Sequence, residues 1–188
     1  MKRIFGFSKV FFRKSTYAKH GFLWCSSYLW TMPFNIRIET ILKETVNEFR
    51  NYDISYIVEN CLEKGEGSRI IGMNTESTNI TDGDIRYDLC FKARGENGEV
   101  IVDVEAQNYT SAVTYPLIKR AGYYCSRLIS SQKNTEFSGM DYGKIKKVYS
   151  IWICTNPKVE QRDSINYYSF NEEQVKGNYF CDIDYKKL

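Results

Sequence analysis

Two apolar runs flank the turn dipeptide Asn97-Gly98, and this pairing constrains the chain more than any other feature. On the amino-terminal side, Ile85–Lys92 places Ile85, Tyr87, Leu89 and Phe91 at alternate positions, the two-residue period of a strand with one face inward. On the other side, Val100–Gln107 begins with the run Val100-Ile101-Val102. Residues 94–99 between them read as a turn whose strongest element is Asn97-Gly98, because tight hairpin turns need backbone conformations that Asn and Gly adopt cheaply. The two runs are therefore predicted to pair as an antiparallel hairpin.

The elements around the hairpin set the fold class. Ile38, Ile41, Leu42, Val46 and Phe49 recur at helical spacing and predict a helix over 36–50. A short helix is expected over 51–60, with Ile54, Ile57 and Val58 inward. Residues 62–83 read as loop, with a short strand at Arg69-Ile70-Ile71. After the hairpin, 115–132 predicts a long helix: Pro116 suits its first turn, and Leu117, Ala121, Tyr124, Cys125 and Leu128 form its apolar stripe. Val148–Cys154 is a short apolar run of the kind found in a buried strand, and Ile165–Phe170 reads as one more strand. The order helix, strand, strand, helix, strand predicts an α/β fold with a mixed central sheet flanked by helices. A right-handed crossover would join 100–107 to 148–154.

Composition excludes several classes. At 188 residues the chain is long enough for one domain with a core, and no stretch reaches the roughly 18 apolar residues that span a bilayer. No membrane partner is expected. The six cysteines include no closely spaced pair and His20 is the only histidine, so no structural zinc site is expected and the thiols read as reduced and buried, as in a cytoplasm. Charge is uneven. Residues 1–38 hold seven Lys or Arg and no acid, whereas the rest carries 19 basic and 23 acidic residues. The bulk is thus no basic nucleic-acid binder, and DNA contact would come from local patches, a metal or the amino-terminal arm. Residues 1–34 mix basic and aromatic side chains without clear periodicity, so they are expected to pack loosely and add little to the core; the other reading is an arm with stacking aromatics.

Chemistry gathers on the hairpin. Glu105 and Gln107 lie two apart and share a strand face, and pairing brings Asp88 alongside. Two half-buried carboxylates repel, and a hard divalent cation such as Mg²⁺ relieves that repulsion while supplying water to attack a phosphodiester. The competing reading makes Asp103-Val104-Glu105 the solvated polar face of an amphipathic edge strand.

The pattern of Asp88, a hairpin turn and Glu105-Ala106-Gln107 resembles the PD-(D/E)XK nuclease core. More specifically, the chain resembles the PD-(D/E)XK nuclease family transposases, relatives of bacterial recombination-promoting nucleases. The stretches that carry the likeness are Ile41–Val46, Asn74-Thr75-Glu76, Tyr87-Asp88-Leu89, Val102–Gln107, YPLIKRAGYYCSRLISSQ at 115–132 and KKVYSIWICTNP at 146–157. The resemblance spans about 39–188 and divides the chain into an atypical basic, aromatic segment 1–38 and a nuclease-like domain 39–188. It implies a restriction-endonuclease-like core, with Asp88, Glu105 and the Ala106 carbonyl as ligands of Mg²⁺ or Mn²⁺. Gln107 would stand where the name-giving motif has Lys, orienting water or phosphate by hydrogen bonds. An acid on the first helix often assists in this superfamily, and Glu44 and Glu48 are both candidates. Arg120 is expected near the phosphate with Tyr124 and Gln132 supporting the site; alternatively Tyr124 is core and the other two face solvent. Relatives continue beyond Ile183-Asp184, which implies a truncated domain. The resulting expectation is a metal-dependent DNA endonuclease in the cytoplasm, able to form a homodimer. A catalytically silent remnant of a mobile element and a nucleic-acid-binding module are the alternatives.

Overall fold

The fold is described from a computed structural model, over residues 3–12, 38–63, 72–73, 76–77, 85–107, 115–155, 159–171 and 176. The order of elements is β1 (Arg3–Phe12), α1 (Ile38–Thr45), α2 (Ile54–Tyr56), β2 (Glu76–Ser77), β3 (Ile85–Arg86), β4 (Leu89–Gly95), β5 (Gly98–Gln107), α3 (Leu117–Ser131), β6 (Lys147–Cys154) and β7 (Ser164–Asn171). Five strands form a mixed sheet in the order β4-β5-β6-β1-β7, and β2 and β3 form a separate two-stranded piece. The molecule is thus mixed α/β, with β5 antiparallel to β4 and parallel to β6. The helix α3 connects the two parallel strands, as a parallel pair requires.

Helices cover both faces of the sheet. On one face, Ile41 and Leu42 of α1, with Val46, Phe49 and Ile57, pack on Leu89, Phe91, Val100, Val102, Val104, Tyr149 and Ile151. On the other, Leu117, Ala121, Tyr124, Cys125 and Leu128 of α3 pack on Cys90, Ile101, Val148, Trp152 and Cys154. The α3 residues are those of the stripe read from the sequence. Each fully buried aliphatic side chain contributes about 1.5–3 kcal/mol, so two such faces dominate stability. The four described cysteines, Cys61, Cys90, Cys125 and Cys154, are buried free thiols. His20, Cys25, Cys181 and the expected strand at Arg69-Ile70-Ile71 lie outside the described residues.

Several expectations change. The first helix is shorter than 36–50, because Val46 turns extended (φ −108°, ψ 121°) before a 3₁₀ turn at Asn47–Phe49. That turn approaches β4 so closely that a Cβ on Gly95 would lie 3.1 Å from the Glu48 Cβ. Ile57 is buried as expected, but Ile54 is exposed, since α2 passes at Ile57 into a π turn, Ile57–Cys61, that buries Cys61 alongside Ile57. The hairpin turn is centred on Glu96-Asn97, one residue earlier than expected, with Gly95 facing Gly98. Gly98 begins β5 at φ +111°, a conformation that needs glycine.

The largest correction concerns the amino terminus. Arg3–Phe12 does not lie loosely outside the core; its backbone runs parallel to β6, pairing Lys9 with Ile151 and Phe12 with Cys154, and antiparallel to β7. Sequence periodicity misses such a strand because its partners lie some 140 residues or more away and a central strand need not alternate.

Candidate active site

The first strand of the hairpin is broken, and the break makes the site. Continuous alternation would place Ile85, Tyr87, Leu89 and Phe91 on one face. Instead Ile85 and Tyr87 pack with Cys90 on the α3 side, while Leu89 and Phe91 pack on the α1 side. The phase changes across Tyr87-Asp88, between β3 and β4. At such a break the backbone ladder stops, and its donors need other acceptors. The side chains of the two acids supply them. The Asp88 N–H donates to Glu105 Oε1 at 2.9 Å, and the Ala106 N–H donates to Asp88 Oδ2 at 2.9 Å. The β4–β5 register, with Leu89 opposite Val104, sets the two acids across from each other.

The same face of β5 carries Asp103, which is fully buried. Ser150 Oγ donates to Asp103 Oδ2 at 2.7 Å and in turn accepts from Trp152 Nε1 at 2.8 Å. The edge-strand reading of Asp103-Val104-Glu105 is therefore corrected: β5 is paired on both sides, and its acids face the packed α3 layer. Asp103 and its Ser150–Trp152 support escaped the sequence reading as parts of the site. The available signal was the shared parity of Asp103, Glu105 and Gln107 on a strand with two partners.

Electrostatics follow from burial. Desolvation and the charge of Asp88 push Glu105 up to about 7. Burial, then the Glu105 charge, holds Asp103 well above the usual carboxylate range. Asp88 is also raised by burial, opposed by the Ala106 N–H and by Arg120.

Gln107 meets the helix. Arg120 Nη1 donates to Gln107 Oε1 at 3.1 Å and Nη2 donates to the Tyr124 hydroxyl at 2.8 Å. The guanidinium lies 5.1 Å from the ring centres of both Tyr124 and Trp152. Tyr124 also packs edge-on against Tyr87 and Trp152, so it is core and neighbour of the site at once. Gln132 neither faces solvent nor supports the site. It is buried and clasps the Lys146 backbone, with Nε2 donating to the carbonyl at 3.0 Å and Oε1 accepting the N–H at 2.7 Å. The next residue, Lys147, pairs with Val100, five residues along β5 from Glu105 or roughly 17 Å at strand rise. Of the two first-helix acids, Glu44 is exposed and lies in α1. Glu48 accepts from Lys147 Nζ at 2.7 Å and from the Tyr149 hydroxyl at 2.5 Å, on the face opposite Ser150 and Asp103. Neither geometry brings a third acid to Asp88 and Glu105.

Two carboxylates held together with raised proton affinity form a hard, oxygen-rich donor set that a divalent cation fits. No group of three or more His, Cys, Asp or Glu side chains arranged to hold a metal occurs among the described residues. Mg²⁺ tolerates so few protein ligands because it retains several waters.

Comparison with known proteins gives one match. A family model described as PD-(D/E)XK nuclease family transposase matches residues 54–186, more than half of the chain. No curated protein matches. No solved structure matches.

Proposed function

The chain belongs to the PD-(D/E)XK nuclease family transposases, and from that premise we propose that it is a Mg²⁺- or Mn²⁺-dependent DNA endonuclease acting in recombination. Membership implies a nuclease. The observation that carries the finer reading is the reciprocal hold of Asp88 and Glu105 on each other's strand end. A restriction-endonuclease-like core, a nuclease domain over 39–188, a cytoplasmic setting and a homodimer belong to the same proposal.

In this reading Asp88, Glu105 and the Ala106 carbonyl would hold the ion, which would supply Lewis-acid stabilisation and an acidified water. The rest is done by the chain. Backbone donors from Asp88 and Ala106 fix the carboxylates, so little reorganisation is needed when substrate arrives. Gln107 offers its amide to water or phosphate. Asp103 backs Glu105 from the buried side of the same strand face. Tyr87, Tyr124 and Trp152 close the floor of the site to water with packed rings.

The test is nicking of supercoiled plasmid by purified protein with Mg²⁺ or Mn²⁺, with Asp88→Ala as control. Nicking that requires metal and is lost in the variant supports the reading. Equal nicking by both proteins, or none by either, overturns it and favours a silent remnant.

A further inference from the structure

Gln107 carries no charge, yet the site must bind a phosphodiester that gains negative charge as it reacts. A divalent ion between two carboxylates is formally neutral, so a cation for the phosphate has to come from elsewhere in the chain. We propose that Arg120 is that cation, placed on helix α3 and aligned by Gln107, and that it contacts the scissile phosphate. The inference rests on the nuclease reading above and names a residue of that same site.

Three observations carry it. First, Arg120 is tied directly to the position in question, through the 3.1 Å bond to Gln107 Oε1. Second, its hydrogen bonds at Nη1 and Nη2 go to neutral groups, Gln107 and Tyr124, and not to a carboxylate. A guanidinium has five N–H donors, so others remain for a phosphate oxygen. Third, its guanidinium packs against the Tyr124–Trp152 ring pair, 5.1 Å from each ring centre, and Trp152 is itself anchored by Nε1 to Ser150. Such packing lowers the entropy lost on binding and suits a planar fork more than a lysine. Arg120 is half-buried at the amino-terminal part of α3, so one side of it reaches solvent. No bond to Arg120 forms or breaks; it stabilises charge on the phosphoryl oxygens.

The experiment compares wild type, Arg120→Gln, Arg120→Lys and the double variant Gln107→Lys with Arg120→Gln, each first shown to melt cooperatively. Arg120→Gln keeps a polar amide on the helix and removes the charge together with the guanidinium's reach and donor fork. Two readouts are used: plasmid nicking in Mg²⁺, and anisotropy of a fluorescent DNA duplex in Ca²⁺ across a salt series. Arg120→Gln is expected to lower nicking by about 100-fold or more, the usual effect of one lost transition-state donor. Its salt slope for duplex binding should fall by about one. Arg120→Lys should lie between. Moving the cation back to the strand, in the double variant, should recover at least about tenfold of the lost nicking, a rescue that a merely structural arginine would not show. Nicking by Arg120→Gln within about threefold of wild type, with an unchanged salt slope, overturns the assignment while leaving the nuclease reading intact. A double variant no better than Arg120→Gln also overturns it. If wild type neither nicks nor binds the duplex, both readings fail together. If wild type binds without nicking, the salt slope alone decides for Arg120.

Discussion

Ser150 on β6 donates its hydroxyl to Asp103 on β5, so a buried carboxyl group two residues from Glu105 is held by the neighbouring strand rather than by solvent. Ser150→Ala removes that donor and also the acceptor of Trp152 Nε1. Leaving buried polar groups unpartnered costs about 1–3 kcal/mol each. Urea unfolding should show a loss in that range with an unchanged slope. No measurable loss would mean that water replaces the hydroxyl.

Stability of the metal-free protein should fall as pH rises. Glu105 has an ordinary value of 4.5 and is pushed to about 7 by burial and by Asp88. Asp103 and Asp88 are displaced in the same direction. Between roughly pH 4.5 and 7 the folded chain therefore binds more protons than the unfolded chain, and the unfolding free energy declines with pH. The contribution is fully present below the ordinary value and is lost as pH rises through the folded one. One such proton gives a slope of up to about 1.4 kcal/mol per pH unit. Urea titrations in EDTA at pH 5, 6, 7 and 8 measure it. Stability that climbs over this window would contradict the burial of these carboxyls.

Glu105→Gln separates stability from activity. The amide keeps an acceptor for the Asp88 N–H and removes the charge that repels Asp88. In EDTA at pH 8 the variant should melt at or above the wild-type temperature, while its nicking and its stabilisation by Mg²⁺ disappear. Ligand binding to the folded state alone raises stability with concentration, so the metal-induced shift is a direct readout. Asp88→Ala should lose both nicking and the metal shift as well. Cleavage that survives in Glu105→Gln would place the activity elsewhere.

Deletion of residues 1–12 should destabilise the fold severely. It removes the strand that pairs with both β6 and β7, and exposes the edge of β6. At about 2–4 °C per kcal/mol for a chain of this size, the loss of two ladders should lower the melting temperature by more than about 10 °C, or prevent cooperative folding. A melting temperature unchanged by the deletion would restore the sequence-based view of a dispensable arm.

The sequence by itself located most of the local elements and brought Asp88 and Glu105 onto one hairpin. Apolar stripes at helical spacing located α1 and α3, and Asn97-Gly98 between two apolar runs located the hairpin to within one residue of its register, because these are properties of neighbouring residues. Tertiary structure decided the rest. Whether Asp103 was solvated or buried depended on β6 covering the second side of β5, and β6 is 40 residues further on. Whether Glu48 or Gln132 belonged to the site depended on which sheet face and which end of a helix met Lys147, Tyr149 and Lys146. The strand Arg3–Phe12 became visible only once partners from the far end of the chain stood on either side of it. Backbone hydrogen bonding between distant segments leaves little trace in the periodicity of either, since the ladder is formed by groups that every residue carries.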